Sequence, residues 1–268
     1  MYERNQIRYN TNTHHNRIKR KINYRRLLLP ISFLCIITLI LIASSSLFTI
    51  EDIKVKGNNN ISTKEILKSI DYYMGVNLLT VKPKQVKEAI QETMPIEDVI
   101  VKYELPHTLI LEVKEREISA ALNYLDGFVL IDSNGFIVKL ASKLENYSVP
   151  IVTGLKVVKA KVAEKPLLEE NTAHFKVLLS LIESLKPILQ ELSEINIVVD
   201  DNHKANFYLY TLDGYQVFLG EFNDRKITIL QTLLQDVRKK GMGTGLLDIS
   251  HNTPIFKPFH IEPEKEKE

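Results

Sequence analysis

The chain has 268 residues and a formal net charge of +2, and its single cysteine, Cys35, excludes a disulfide framework within it. The charge is unevenly distributed, because residues 1–26 contain eight Lys and Arg against one acidic residue, Glu3. The remaining residues carry a net charge of about −5. A basic run can bind nucleic acid, but cations beside a membrane span also set topology and contact lipid headgroups, and we favour that second explanation.

An uncharged apolar stretch, residues 27–48, follows the basic run. As a helix rising about 1.5 Å per residue it would extend roughly 33 Å, enough to cross the hydrocarbon core of a bilayer. We therefore predict a transmembrane helix over 27–49. Because Lys and Arg stay on the cytoplasmic side of a first span, residues 1–26 are predicted to be a cytoplasmic basic tail and the rest to be extracellular, a single-pass type II topology.

A cleaved signal peptide is the alternative explanation of this stretch. Ala43 and the serines that follow it offer small residues near its end. The apolar region of a signal peptide typically has only about 7–15 residues, however, and this one is longer and follows a long basic tail. We favour an uncleaved anchor.

The next region, residues 50–117, has the pattern β-α-α-β-β. Ser62 and Glu65 have the spacing of a capping box at the start of a first helix. Leu78, Leu79 and Val81 are interpreted as a buried connector, and a second helix is predicted from about Pro83 to Met94, since proline is acceptable at a first helical position. Two alternating runs separated by a Leu-Pro link, residues 99–103 and 109–113, predict a hairpin. These elements indicate a small sheet covered by two helices.

The last large region, residues 118–260, is predicted to be rich in strands, with two peripheral helices. One helix covers residues 175–185 and ends at or before Pro187, and the other begins at Asn223 or Asp224 and ends at Gly241. The predicted strands are 120–124, 128–131, 136–140, 195–199, 205–211, 215–219, 246–250 and 254–259. The connector 156–170 has no clear assignment, and the charged segment 261–268 is predicted to be disordered. The fold class is therefore α+β.

No catalytic constellation emerges from the residues. The glycine-rich segment 241–245 follows a helix, whereas phosphate is bound at a helix N-terminus. The histidines form no H-E-x-x-H pattern, and Asp132 to Gly135 lacks the later ligands of a calcium loop, so a turn is the better interpretation. We predict no catalytic residue, no cofactor and no metal site, and do not expect the chain to be an enzyme or to take a small-molecule substrate.

Three segments of the chain carry a family resemblance, and they stand in a fixed order behind one apolar stretch. They are IEDIKVKGNNNIS from residue 50, GVNLL from residue 75 and MPIEDVIVKYELPHTLILEVKERE from residue 94. Together they resemble the POTRA domain of the bacterial divisome family FtsQ/DivIB. The Pro-x-x-x-Gly element at 150–154 and the Leu-Asp-Ile core at 247–249 resemble the family's β domain. The resemblance spans roughly residues 50–259 and implies a POTRA domain over 50–117 followed by a mixed β domain over 118–260.

The final predicted strand offers a binding surface. An edge strand has unpaired backbone groups that can pair with a partner's strand, with side-chain pockets supplying specificity. The alternative is that Pro254 and Pro258 are there to protect this edge from aggregation. The resemblance implies that this edge and the preceding helix hold partners of the FtsL and DivIC/FtsB type. It transfers a partner-binding role to five residues, Arg225, Ile255, Phe256, Lys257 and Phe259.

The function implied is that of a membrane-anchored divisome scaffold. It would recruit and stabilise FtsL and DivIC/FtsB type proteins, and a septal penicillin-binding protein, at the septum during cell division and septal peptidoglycan synthesis. Its expected partners are thus the membrane and these proteins, and not nucleic acid. One alternative is a POTRA-bearing envelope export or assembly factor, which would need repeated POTRA units. Another is an anchored cell-envelope hydrolase, which would need catalytic or metal-binding groups.

Overall fold

The structure is a computed structural model that describes residues 24–144, 147–169, 172–251 and 253–259. Most of the predicted basic tail, residues 1–23, and the whole predicted disordered segment 261–268 lie outside the described residues. The chain divides into two units, Met1–Leu47 and Phe48–Glu268.

The described part of the first unit is the helix α1, Tyr24–Ala43, which contains Pro30. In the part of the chain that the structure describes, no helix combines the length and the apolar character that a membrane span requires. The helix ends before the predicted boundary at residue 49, and a 3-10 turn, Ser46–Phe48, follows it. The hydroxyl of Ser45 donates to the carbonyl of Ile42 at 2.6 Å. Serine hydroxyls compete with helical hydrogen bonds in this way, which explains the early end.

A small three-stranded sheet opens the second unit, and its elements follow the predicted order β-α-α-β-β. They are β1 (Asp52–Lys56), α2 (Thr63–Ser69), α3 (Pro83–Gln91), β2 (Ile96–Glu104) and β3 (Thr108–Glu115). The strand order is β1-β3-β2, with β1 parallel and β2 antiparallel to β3. Ile66 of α2, Ile70 directly after it, and Val86 and Ile90 of α3 are buried in one cluster with Leu109 and Leu111 of the sheet. Helix α3 ends three residues before the predicted Met94.

The local signals at the start of α2 are confirmed. The Ser62 side chain accepts the backbone N–H of Glu65 at 3.2 Å, and a Glu65 oxygen accepts the backbone N–H of Ser62 at 3.1 Å. Both bonds of the capping box are therefore present. The connector between the helices differs from the expectation in one residue: Leu78 and Val81 are buried, but Leu79 is 50% exposed. A 3-10 turn, Leu78–Thr80, rotates Leu79 away from the core.

A large mixed sheet with helices α4 (Thr172–Leu185) and α5 (Asp224–Lys240) makes up the rest of the unit. The remaining strands are β4 (Ala120–Tyr124), β5 (Gly127–Ile131), β6 (Ile137–Ala141), β7 (Ile151–Thr153), β8 (Val157–Lys159), β9 (Leu167–Leu168), β10 (Leu192–Val199), β11 (Ala205–Thr211), β12 (Gln216–Gly220), β13 (Gly245–Asp248) and β14 (Ile255–Pro258). Nine of them form one sheet in the order β14-β13-β12-β11-β10-β7-β4-β5-β6, and β8 pairs with β9 inside the unassigned connector. The α+β class is confirmed.

Both helices pack on one face of this sheet. Alternate residues of the central strands, such as Ile195, Phe207 and Val217, share one buried cluster with apolar side chains of α4 and α5. The residues between them, among them Tyr208 and Phe218, lie on the other face, and these two rings stack with centroids 4.6 Å apart. Because side chains alternate between the faces of a strand, this one-sided cover determines which residues of every strand remain accessible.

A buried ion pair lies where the small sheet leads into the large one. Arg116 follows β3, and its Nη1 donates to Asp132 Oδ2 at 2.7 Å, with side-chain exposures of 9% and 6%. The guanidinium lies 3.9 Å from the ring centroid of Phe136. The other Asp132 oxygen accepts the backbone N–H groups of Asn134 and Phe136, so one carboxylate joins the end of β3 to the turn between β5 and β6.

We expect Asp132→Ala to lower the free energy of unfolding by about 3 kcal/mol, because removing one partner of a buried pair leaves the other charge uncompensated. Urea unfolding of the full chain measures this effect. Lys204→Ala, which breaks the exposed Lys204–Glu221 pair, is the control and should change stability far less. Equal effects of the two variants would contradict the structural role given to Asp132.

Candidate functional site

The predicted final strand is the edge strand β14. It pairs antiparallel with β13 along one side, and it stands at the end of the nine-stranded order. Along its other side no strand pairs with it among the residues that the structure describes. The edge position predicted from the sequence is therefore where the structure places residues 255–258.

Phe256 faces the core, unlike its neighbours on the strand. It lies opposite the buried Leu247 and packs against the main hydrophobic cluster. Its ring centroid is 6.4 Å from that of Tyr215. Gly245 makes room for this ring, since a Cβ added there would lie 2.6 Å from a Phe256 ring carbon. Phe256, one of the five residues predicted to bind a partner, thus holds the strand onto the hydrophobic core, and its side chain does not lie on the exposed face.

Ile255, Lys257 and Phe259 alternate with Phe256 and lie on the opposite, uncovered face, where all three are exposed. Asp248 of β13 lies directly opposite Ile255. Burial disfavours the charge of Asp248, but hydrogen bonds from Ser250 and the electrostatic effect of the His251 and Lys257 side chains hold the pKa of its carboxyl below the ordinary value. The uncovered face of β14 therefore presents two apolar side chains, Ile255 and Phe259, with the cation Lys257 between them.

The backbone of β14 has an unusual set of free groups. The N–H of Phe259 donates to the carbonyl of Thr244 at 3.0 Å, so residues 255, 257 and 259 point their backbone groups toward β13. Phe256 and Pro258 then point theirs toward the open side. Since proline has no N–H, Phe256 is the residue of β14 that offers both a donor and an acceptor to a partner strand.

Arg225 lies apart from β14, in the first turn of α5. Its backbone N–H donates to the Asn223 side chain, which caps the helix, at 2.9 Å. The Arg225 side chain is exposed, and within the described ranges no carboxylate forms an ion pair with it. Arg225 is therefore free to bind an acidic group of another molecule.

Lys226, the next residue, has a role that sequence reasoning missed. Its Nζ donates to the carbonyls of Leu219 and Glu221 at 2.9 and 3.0 Å, and burial lowers the pKa of its ammonium. A Cβ on Gly220 would lie 2.9 Å from Ser250 and 3.7 Å from Lys226 Nζ. The start of α5 is thus fixed to the segment 219–221, and Gly220 of that segment lies close to Ser250, which follows β13.

Arg238 supports the opposite end of the site. Its Nε donates to Asp213 and its Nη1 to Glu191, each at 2.7 Å, and its guanidinium lies 6.0 Å from the Tyr215 ring centroid. Tyr215 in turn contacts Phe256. The sequence showed only a cation suited to the C-terminal end of a helix. The three partners of Arg238 are distant in sequence, and no local signal could have identified them.

The described residues show no arrangement typical of catalysis. No group of three or more His, Cys, Asp or Glu in the described ranges could hold a metal ion. A cavity of about 620 Å³ is lined by Gly57, Glu115 and Tyr147, among others. Its Glu115 carboxylate accepts backbone N–H groups of Asn59, Asn60 and Ile61, so this acidic group holds a turn. That the chain is not an enzyme remains a prediction.

The Asp213–Arg238 pair makes stability depend on pH. Burial disfavours the charge of Asp213, but hydrogen bonds from Arg238 and Thr211 outweigh it and hold the pKa of the carboxyl below its ordinary 3.8. A lowered carboxyl pKa stabilises the fold above the ordinary value, and this contribution is lost as pH falls through the folded-state pKa. We expect Asp213→Asn to lower the free energy of unfolding at neutral pH by at most about 1 kcal/mol, because both side chains are partly exposed.

Urea unfolding of the full chain at a series of pH values tests this expectation. The difference between wild type and Asp213→Asn should shrink once the pH falls below 3.8. Asp201→Asn, which changes an exposed carboxylate in a turn, is the control. A difference that stays constant down to acid pH would show that Asp213 does not act through its charge.

Comparison with known proteins agrees with this architecture. Residues 48–116 match the family model described as POTRA domain, FtsQ-type, and residues 120–250 match that described as Cell division protein FtsQ/DivIB, C-terminal. These ranges cover the small sheet and most of the large one, so the small sheet is a POTRA domain. The second match ends before β14, so the edge strand lies outside the matched range.

Several curated relatives are similar over most of the chain. The Cell division protein DivIB of Clostridium botulinum (strain Hall) is 26% identical over 89% of this chain and 93% of its own length. That of Bacillus cytotoxicus is 29% identical over 75% of this chain and 74% of its own. That of Staphylococcus aureus (strain NCTC 8325) is 23% identical over 77% of this chain, which spans only 45% of that relative.

Two adjoining family models and relatives aligned across both domains lead to the same assignment. The chain belongs to the FtsQ/DivIB family.

Proposed function

We propose that this chain is a membrane-anchored scaffold of bacterial cell division. It recruits and stabilises bitopic proteins of the FtsL and DivIC/FtsB type, and a septal penicillin-binding protein, at the septum during septal peptidoglycan synthesis. The observation that carries the proposal is the open side of β14 at the end of a nine-stranded sheet, where no strand of the described residues pairs with it. The names of the relatives, which are cell division proteins, supply the biological setting.

The mode of binding is strand addition. A partner strand pairs with the N–H and C=O of Phe256 and donates a further N–H to the carbonyl of Pro258. Because Pro258 has no N–H to offer, the edge accepts more hydrogen bonds than it donates. This imbalance favours one alignment of the partner and disfavours unlimited stacking of further strands.

Side chains supply the specificity. Ile255 and Phe259 give the partner two apolar contacts on the uncovered face, with Lys257 between them. Arg225 adds a cation in the first turn of α5. A partner that places an acidic side chain near each cation and apolar side chains over Ile255 and Phe259 matches this surface, since aromatic and cationic anchors dominate binding energy at protein interfaces.

The anchor is the second half of the proposal. Residues 27–49 act as a single-pass membrane anchor, in which helix α1 ends at Ala43, with residues 1–26 in the cytoplasm and the POTRA domain (50–117) and β domain (118–260) outside. Holding the edge strand and its bitopic partners in one membrane raises their effective concentration, so modest pairwise affinities suffice. Localisation at the membrane of the septum follows from this arrangement.

The edge strand is tested by capture of a purified pair of FtsL-type and DivIC-type proteins on the full chain in detergent. We expect Lys257→Glu to weaken binding about tenfold, equivalent to about 1.4 kcal/mol, because the reversed charge repels the acidic partner. Truncation before Pro254 should remove binding, since it deletes the strand that pairs. Lys239→Glu, an exposed charge reversal on α5, is the matched control.

Circular dichroism establishes that each variant is folded before capture is compared. Unchanged capture after the truncation would refute strand addition at β14. Equal weakening by Lys239→Glu and Lys257→Glu would show that only net charge matters.

The anchor is tested in cells depleted of the protein, which we expect to form filaments or fail at septation. The full chain should restore division, and a secreted 51–268 should not, because it lacks confinement to the membrane. Cell length, measured by microscopy, is the readout. Rescue by the secreted form would show that the apolar stretch serves only as an export signal. Normal division after depletion would contradict the proposed role in cell division.

A further inference from the structure

The segment between α2 and α3 exposes three large apolar side chains within eight residues. Tyr72, Met74 and Leu79 are 58%, 48% and 50% exposed. A single exposed apolar side chain is ordinary in a folded protein and needs no explanation. Three within eight residues concentrate exposed apolar area in one short segment, here called the 72–79 patch, and its position in the chain indicates what it contacts.

Backbone hydrogen bonds hold this segment against the residues that follow the apolar stretch. The N–H of Ile50 donates to Val76 at 2.9 Å, and the N–H of Gly75 donates to Ile50 at 3.0 Å. Thr49 and Asn77 form an antiparallel bridge. The Ile50 side chain is fully buried, which fixes the arrangement.

Chain continuity then limits where the segment can be. Consecutive Cα atoms are about 3.8 Å apart, so Thr49 stays next to Phe48, the last residue of the apolar stretch. If residues 27–49 span the membrane, as in the proposed function on which this inference rests, Thr49 lies at the outer headgroup region. The segment bonded to Thr49 and Ile50 lies there with it.

The three side chains are held outward by their neighbours. Tyr73 and Leu78, adjacent to Tyr72 and Leu79, are buried. Asn77 Oδ1 accepts the N–H of Leu79 at 2.9 Å and closes the 3-10 turn that turns Leu79 outward. The 72–79 patch is therefore preorganised, and its side chains can contact lipid without a change in the conformation of the segment.

We propose that Tyr72, Met74 and Leu79 insert into the interfacial layer of the lipid bilayer and form a second membrane contact in addition to the anchor. Tyrosine is enriched at the membrane–water interface because its ring is apolar and its hydroxyl can remain hydrogen-bonded to water. The exposed charges close to the segment in sequence or in the adjoining elements are mixed, with Glu51, Asp52 and Asp71 against Lys82 and Lys84. Burial of apolar side chains, and not attraction between charges, therefore drives the insertion. The insertion orients the POTRA domain on the lipid surface.

The absence of tryptophan from the chain allows a direct test. Met74→Trp and Leu79→Trp are made in the full chain, which is reconstituted into vesicles of phosphatidylcholine and phosphatidylglycerol with bromines on the upper acyl chains. Interfacial side chains enter about 5–10 Å into the headgroup and acyl boundary, so we expect bromine to quench about half of the fluorescence. Leu212→Trp, an exposed leucine of the β domain, is the matched control and should not be quenched.

Ile37→Trp, within the apolar stretch, separates this inference from the proposed anchor. Quenching at residue 37 without quenching at 74 and 79 overturns the interfacial contact and leaves the anchor intact. Absence of quenching at residue 37 overturns the anchor, and the inference with it. Quenching at residue 212 equal to that at 74 and 79 shows nonspecific adsorption and also overturns it.

A second variant tests whether the patch acts as a unit. Tyr72→Trp alone should be quenched, and adding Met74→Ser and Leu79→Ser should reduce that quenching, because the apolar area that enters the lipid is lost. All three positions are exposed, so these changes should leave the fold intact. Quenching that is unaffected by the two serines would show that Tyr72 does not depend on the patch.

Discussion

Along its open side, β14 presents a row of backbone groups with which no other described strand pairs. Unpaired edges are a hazard, because any extended chain can pair with them. Here the donor at position 258 is missing, since the residue is proline, and Phe256 provides the N–H of the strand that faces outward. Pro258 limits aggregation because it has no N–H to offer a further strand, and for the same reason it restricts a partner strand to one alignment along β14. Protection of this edge from aggregation is therefore compatible with the binding of a partner strand to it.

The edge depends on packing beneath it. Phe256 packs against the main hydrophobic cluster, and its ring lies 6.4 Å from that of Tyr215. The guanidinium of Arg238 lies 6.0 Å from the Tyr215 ring and is hydrogen-bonded to Asp213 and Glu191. At the other end of α5, Lys226 fixes the helix to the carbonyls that end β12. A strand with a partner on one side only needs such anchors to stay ordered. Here they are one side chain of the strand itself, Phe256, and two of α5, Lys226 and Arg238.

Much of the fold could be predicted because its signals are local. The Ser62–Glu65 capping box, the turn glycines and the alternating runs each involve residues within a few positions of one another. The misses have physical causes. Leu79 was expected to be buried but is turned outward by a 3-10 turn, and α1 ends at Ala43 because serines follow it. Of the five predicted site residues, the sequence could not show that Phe256 faces inward and the others outward.

By itself the sequence determined the order of the elements, the family resemblance and the position of a final edge strand, since these follow from periodicity, turn chemistry and motif spacing. Only the tertiary structure decided which face of that strand is accessible, because the answer depends on the side of the sheet that α4 and α5 cover. It also decided that Arg116 meets Asp132 and that residues 72–79 lie beside Ile50. Contacts between residues distant in sequence arise from packing, and no local pattern encodes them.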